Sequence, residues 1–169
     1  MEKKLTNEEY AKRILQSSVY DVAIRTPLDY SEILSKRFNN AIYLKREDLQ
    51  PIFSFKLRGA YQKISQLSKE EIKNGVITAS AGNHAQGVAY SAKKLGVTAW
   101  IVMPKTTPSI KVESVERFGG TTVLFGDSYD EAAEHAMSLA KTKGLPFIHA
   151  YDDPDVITGQ GTIAFELYN

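Results

Sequence analysis

Val76-Ile77-Thr78-Ala79-Ser80-Ala81-Gly82-Asn83-His84-Ala85-Gln86-Gly87 reads as a strand, a tight turn and a helix start. The first four residues are apolar or β-branched with no polar alternation, as in a strand covered on both faces of a parallel sheet. From residue 84 to 95 the apolar residues Ala85, Val88, Ala89, Ala92 and Leu95 share one helical face, and Gly96 stops the pattern. The same unit recurs downstream. Residues 98–103 read as a strand closed by Pro104, and Thr107-Pro108 as a cap with proline at the first helical position. Residues 121–125 read as a strand, and Ser128 with Glu131 as the capping box of a helix ending at Gly144. Residues 146–150 read as a further strand. Upstream, Ser68 and Glu71 are expected to cap a short helix ended by Asn74-Gly75. Strand and helix alternating on short links predict an α/β fold, a parallel sheet with helices on both faces.

The turn lies at the carboxyl end of its strand, where parallel α/β sheets bind ligands. The helix start behind it offers free N–H groups and a positive dipole, which suit a carboxylate. Gly82 allows close backbone approach to a ligand. Asn83 can donate to a phenolate oxygen or serve as a helix cap, and the residues alone leave both open. His84 alone reads as a helix-surface residue rather than a catalyst. The turn lacks the lysine and spacing of a P-loop.

Upstream, Ser54-Phe55-Lys56-Leu57-Arg58-Gly59-Ala60 opens a helix continued by Tyr61, Ile64 and Leu67. Ser54 is the expected N-cap. A lysine in the first turn faces the positive end of the helix dipole, and Phe55 can exclude water from it. Both effects lower its pKa, and an uncharged lysine amine is a nucleophile toward carbonyl carbon. A solvated lysine on a polar helix face remains the alternative from these seven residues.

Nearer the N-terminus, Thr6 and Glu9 predict a capping box for a helix over residues 6–17, with Leu5 and Tyr10 as its staple. Pro27 makes Thr26 extended. A short helix over residues 31–37, a turn at Asn39-Asn40 and a strand over residues 41–45 follow. Lys45-Arg46-Glu47-Asp48 reads as a solvated strand end. At the other end Asp153-Pro154 starts a helix carrying Gly159 and Gly161. Each glycine costs about 1 kcal/mol relative to alanine, so close packing against another element is expected. The helical pattern runs to Asn169, and the polypeptide is expected to be a fragment.

The chain has 169 residues, 43% hydrophobic and 24% charged, which predicts a soluble globule. Its net charge of +1 gives no electrostatic case for nucleic acid or an anionic membrane. With no cysteine there is no disulfide, thiolate nucleophile or thiolate metal site. His84, His135 and His149 have no zinc spacing, and no metal is expected. The first residues carry no apolar leader, and no stretch has membrane-spanning length.

Taken together, the lysine heptapeptide and the asparagine turn resemble the threonine deaminase family, pyridoxal phosphate enzymes of the tryptophan synthase β type. The likeness extends through Lys45-Arg46-Glu47-Asp48 and from Asp152-Asp153-Pro154 to Gly159-Gln160-Gly161-Thr162. The resemblance implies that Lys56 holds pyridoxal 5′-phosphate covalently and moves the substrate α-proton. It implies that Phe55 packs beside the cofactor, that Asn83 bonds its 3′-oxygen, and that Ser80, Ala81, Gly82, Asn83 and His84 hold the substrate carboxylate. The expected reaction turns L-threonine into 2-oxobutanoate and ammonia. In racemase relatives a serine usually stands where this chain has Ala81, which favours elimination here. Arg46-Glu47-Asp48-Leu49-Gln50-Pro51 and Val19-Tyr20-Asp21-Val22-Ala23 look like the biosynthetic, isoleucine-pathway form. A catabolic threonine or serine dehydratase, a serine racemase relative, and a catalytically incomplete α/β module are the alternatives.

By the same resemblance, residues 53–150 are a smaller α/β domain, and residues 1–52 and 151–169 are parts of a larger one. The phosphate-anchoring loop is expected beyond residue 169, so this chain by itself is expected to bind the cofactor weakly and turn over threonine poorly. A cytoplasmic homo-oligomer acting on a small amino acid is the expected setting.

Overall fold

The computed structural model describes residues 5–168. The leader-free reading of residues 1–4 and the terminal Asn169 lie outside the described residues. Helix α1 (Asn7–Leu15) begins in the expected capping box, with Thr6 and Glu9 bonding reciprocally at 3.2 and 2.7 Å. A 3₁₀ turn (Val19–Asp21) leads to strand β1 (Leu28–Tyr30), helix α2 (Glu32–Phe38) and strand β2 (Tyr43–Lys45). β1 and β2 pair antiparallel, and left-handed Asn39 turns the chain between α2 and β2. A second 3₁₀ turn (Glu47–Leu49) precedes helix α3 (Lys56–Gln66).

The α/β body follows as strand β3 (Val76–Ala79), helix α4 (Asn83–Lys94), strand β4 (Ala99–Met103), helix α5 (Ser109–Arg117), strand β5 (Gly120–Leu124) and helix α6 (Tyr129–Lys143). The sheet is parallel in the order β3-β4-β5, with Val76 opposite Ala99 and Ala99 opposite Gly120. Its faces follow the two-residue period of a strand. Ala99, Ile101 and Met103 of β4 join Ala60 and Ile64 of α3, Val88 and Ala92 of α4, and Val115 of α5. Trp100 and Val102 face the other way, with Ala132 and Ala136 of α6. Helices therefore cover both faces, as the sequence predicts.

Four local readings need correction. Ser68 and Glu71 do bond reciprocally, but they close only a turn. Gly75 follows at φ +104°, which a growing helix cannot adopt. Pro108 takes the cap position itself, at ψ 140°, and the Thr107 hydroxyl has no partner among the described residues. Residues 146–150 are not a strand but a single parallel bridge, Ile77 with Phe147. Pro146 has no N–H to donate, and the Ile148 carbonyl is taken by the Thr78 hydroxyl at 2.8 Å. The box at Ser128 is half formed: Ser128 accepts from the Glu131 N–H at 3.2 Å, while the Glu131 carboxylate accepts from the Asp127 N–H.

Helix α7 (Pro154–Tyr168) is capped by Asp153, whose Oδ1 accepts from the N–H groups of Asp155 and Val156 at 2.8 and 3.1 Å. It packs on α3 and α1, so the element its glycines require lies earlier in the chain. A Cβ at Gly159 would stand 2.4 Å from the Arg58 carbonyl oxygen and 2.7 Å from the Gly59 Cα, and one at Gly161 would stand 2.5 Å from Ile14 Cδ1. Gly159→Ala is therefore expected to lower stability by about 2 kcal/mol or more, because backbone must move to admit the methyl. Urea titration of the variant measures this, and an unchanged midpoint would show that the helices do not cross there.

Candidate functional site

Lys56 is the first residue of α3. The Ser54 hydroxyl accepts from the Lys56 N–H at 3.3 Å, although Phe55 occupies the cap position. Upstream, Phe53 is left-handed at φ +58°, a strained geometry for a bulky residue, held between buried Ile52 and Ser54. The Lys56 Nζ donates to the Ala150 carbonyl at 2.7 Å and lies 5.4 Å from the Phe55 ring centre. Burial lowers the pKa of this amine, as the sequence predicts.

The turn 80–82 leaves β3 at its carboxyl end. The Ser80 N–H donates to the Val102 carbonyl, extending the ladder to β4, and the Ser80 hydroxyl accepts from the Gly82 N–H at 3.2 Å. α4 starts at Asn83 without a side-chain cap. The cap reading of Asn83 is therefore set aside. Its amide is exposed and makes no hydrogen bond among the described residues. A Cβ built on Gly82 meets nothing within 4 Å, so open space lies against the turn. The first N–H groups of the helix are left for an anion. Gly87 joins this helix start to that of α3: a Cβ there would stand 3.1 Å from the Lys56 carbonyl oxygen.

His84, expected as a surface residue on its own merits, is 4% exposed. Its Nε2 lies 3.0 Å from the Ile148 carbonyl oxygen. Burial, with the charges of Lys56 and His149 nearby, pushes its pKa down to about 4 despite that bond. The unfolded ring titrates near 6.5, so between these values the unfolded chain binds more protons. Stability therefore falls as pH drops from about 6.5 to about 4, by roughly 3 kcal/mol from this group alone. Denaturation of the wild type and His84→Gln at pH 7 and pH 4.5 measures it. The variant is expected to lose less stability on acidification.

Sequence reading misplaced Lys45-Arg46-Glu47-Asp48. Only Arg46 and Asp48 behave as a solvated strand end, pairing with each other at 2.8 Å. Lys45 and Glu47 turn inward, 13% and 12% exposed. Arg58, fully buried, forks onto Glu47 with Nε and Nη2 both at 2.8 Å, and reaches Glu166 of α7 at 2.6 Å. Lys45 and the Tyr20 hydroxyl complete the shell of Glu166 at 2.5 and 2.8 Å. The two cations and two carboxylates balance. This network locks α3, and with it Lys56, to β2 and α7. The one local hint of it in the sequence is the alternation of Lys45 and Glu47 at strand spacing.

Among the described residues no cluster of three or more histidine, aspartate or glutamate side chains is placed to hold a metal ion. No described helix is long and apolar enough to cross a membrane. The groups present fit pyridoxal phosphate: a partly desolvated lysine amine, a free asparagine amide, and an uncapped helix start under open space.

Residues 19–169 match the family described as pyridoxal-phosphate dependent enzyme. The chain is 58% identical over 159 residues to the biosynthetic, chloroplastic threonine dehydratase of Arabidopsis thaliana, covering 94% of this chain and 27% of that protein. It is 52% identical to the biosynthetic L-threonine dehydratase of Burkholderia multivorans, covering 96% of this chain and 33% of that one. It thus spans about a quarter to a third of these relatives' length. Among solved structures, the processed form of threonine deaminase isoform 2 from Solanum lycopersicum superposes with a TM-score of 0.92 at 53% identity, over 98% of this chain and 46% of that one. Maize serine racemase superposes at 0.87 with 32% identity, over 92% and 48%.

Proposed function

The chain belongs to the pyridoxal-phosphate dependent enzymes, and on that premise we propose that it serves the deamination of L-threonine to 2-oxobutanoate and ammonia. The observation that carries the reading is the Lys56 amine, low in pKa and held on Ala150, at a helix start packed on the uncapped start of α4. When bound, the cofactor supplies the electron sink for negative charge at the substrate Cα. The chain's own groups do the rest. Lys56 offers its uncharged amine for covalent attachment of the cofactor, then takes the α-proton once the substrate has displaced it. Ser80, Ala81, Gly82, Asn83 and His84 hold the substrate carboxylate at the α4 N-terminus. The Asn83 amide donates to the cofactor 3′-oxygen, and Phe55 keeps water from the amine. Ala81 has no group that moves a proton, so elimination of the β-hydroxyl is favoured over racemisation, and the proton that Lys56 has taken is available to carry the hydroxyl off as water.

The names of the similar dehydratases support a biosynthetic role, which we read as the isoleucine branch. Residues 53–150 act as the smaller domain, with residues 1–52 and 151–169 contributing to a larger one. Exposed Leu28, Ile33, Phe38 and Tyr43 support association into a homo-oligomer. The cytoplasmic setting is part of this proposal, and some of the similar proteins are named chloroplastic or mitochondrial. The test is product formation with pyridoxal phosphate at equal substrate concentrations. 2-Oxobutanoate from threonine is expected to exceed pyruvate from serine, and Lys56→Ala is expected to remove both. Pyruvate in excess would assign the chain to a serine-specific enzyme instead.

A further inference from the structure

We propose that His84 is a positioning residue for Lys56: a neutral imidazole strut from α4 that fixes the Ile148–Ala150 segment on which the amine rests. The inference rests on the reading of Lys56 as the reactive amine and extends it to a group that does not touch that amine. A carbonyl oxygen can only accept, so the bond from His84 to Ile148 places the proton on Nε2. Nδ1 is then unprotonated, and it lies buried with no partner among the described residues. A second proton there would be an unsatisfied buried donor on a buried cation.

The segment needs such a strut. After the Ile148 N–H donates to the Ile77 carbonyl at 2.8 Å, the chain leaves the sheet. Its last anchors are the two donors on the Ile148 carbonyl, Thr78 Oγ1 at 2.8 Å and His84 Nε2 at 3.0 Å. Two residues later the Ala150 carbonyl accepts the Lys56 amine. His84 thus ties the turn proposed to hold substrate to the seat of the amine. The charged or titratable groups that bear on it are Lys56 from α3 and His149 from the segment itself. Both oppose its protonation, so at neutral pH the strut is uncharged and acts on Lys56 only by holding its acceptor and keeping water out.

The test compares His84→Gln, which keeps a donor near the Nε2 position, with His84→Leu, which keeps bulk and removes the donor. Trace acetylation followed by mass spectrometry from pH 6 to pH 11 reads the titration of individual lysines in the cofactor-free protein. Exposed Lys69 and Lys105 serve as references. In the wild type and His84→Gln, Lys56 is expected to titrate below the references. In His84→Leu its midpoint is expected to rise toward the references, read as a several-fold fall in its reactive fraction at pH 8. A low Lys56 midpoint unchanged in His84→Leu, or an equal rise in both variants, overturns the positioning role alone. A wild-type Lys56 titrating with the references overturns the reading it rests on as well. The wild-type imidazole ¹⁵N shifts give a check that needs no variant. A protonated Nε2 with a bare Nδ1 is expected from pH 7 to pH 5, and a doubly protonated ring at pH 6 contradicts the strut.

Discussion

Arg58→Ala is expected to lower folding stability by about 3–5 kcal/mol, the range for removing one partner of a buried ion pair. The guanidinium is fully buried and faces Glu47 and Glu166, whose side chains are 12% and 3% exposed. Without it, Lys45 alone would oppose two inward carboxylates. Burial raises the pKa of Glu166, but bonds from Arg58, Lys45 and Tyr20 outweigh it and hold the group below its ordinary value. That stabilisation is present above the unfolded carboxylate pKa of about 4.3 and is lost as pH falls through the lower folded value. Arg58→Lys keeps the charge but not the two-pronged contact with Glu47, so an intermediate loss is expected. Urea titration at pH 7 is the measurement. A loss below about 1 kcal/mol for Arg58→Ala would mean that the carboxylates find water or other partners.

Lys56→Ala is expected to do the opposite: little to stability, nearly everything to chemistry. The side chain gives up one hydrogen bond, to Ala150, worth about 1 kcal/mol, and alanine is the better helix former. Covalent retention of pyridoxal phosphate on this helix should vanish. Deamination by protein carrying the substitution should fall by about 10³-fold or more, since attachment and proton transfer are lost together. Equal turnover in the variant would move the chemistry to another residue.

The α/β body was legible because its signals are local. Val76-Ile77-Thr78-Ala79 can only be covered on both faces, and Gly96 and Gly144 end their helices in left-handed turns. The places of Lys56 and of the 80–82 turn at helix starts were legible for the same reason, whereas the roles proposed for them come from the family resemblance. What remained hidden depends on distant partners. Lys45, Glu47, Arg58 and Glu166 look like ordinary surface charges until the fold brings them together. His84 looks like a helix-surface residue until the Ile148 carbonyl is placed over it. Residues 146–150 have strand composition, but the acceptor they would use is claimed by Thr78 and His84.

Lys56 is the amine proposed to take the cofactor. Borohydride reduction of the wild-type protein with a stoichiometric amount of pyridoxal phosphate, followed by peptide mass spectrometry, tests it directly. The phosphopyridoxyl group is expected on Lys56, ahead of exposed lysines such as Lys69 and Lys105. Label on those lysines with Lys56 unmodified would contradict the account.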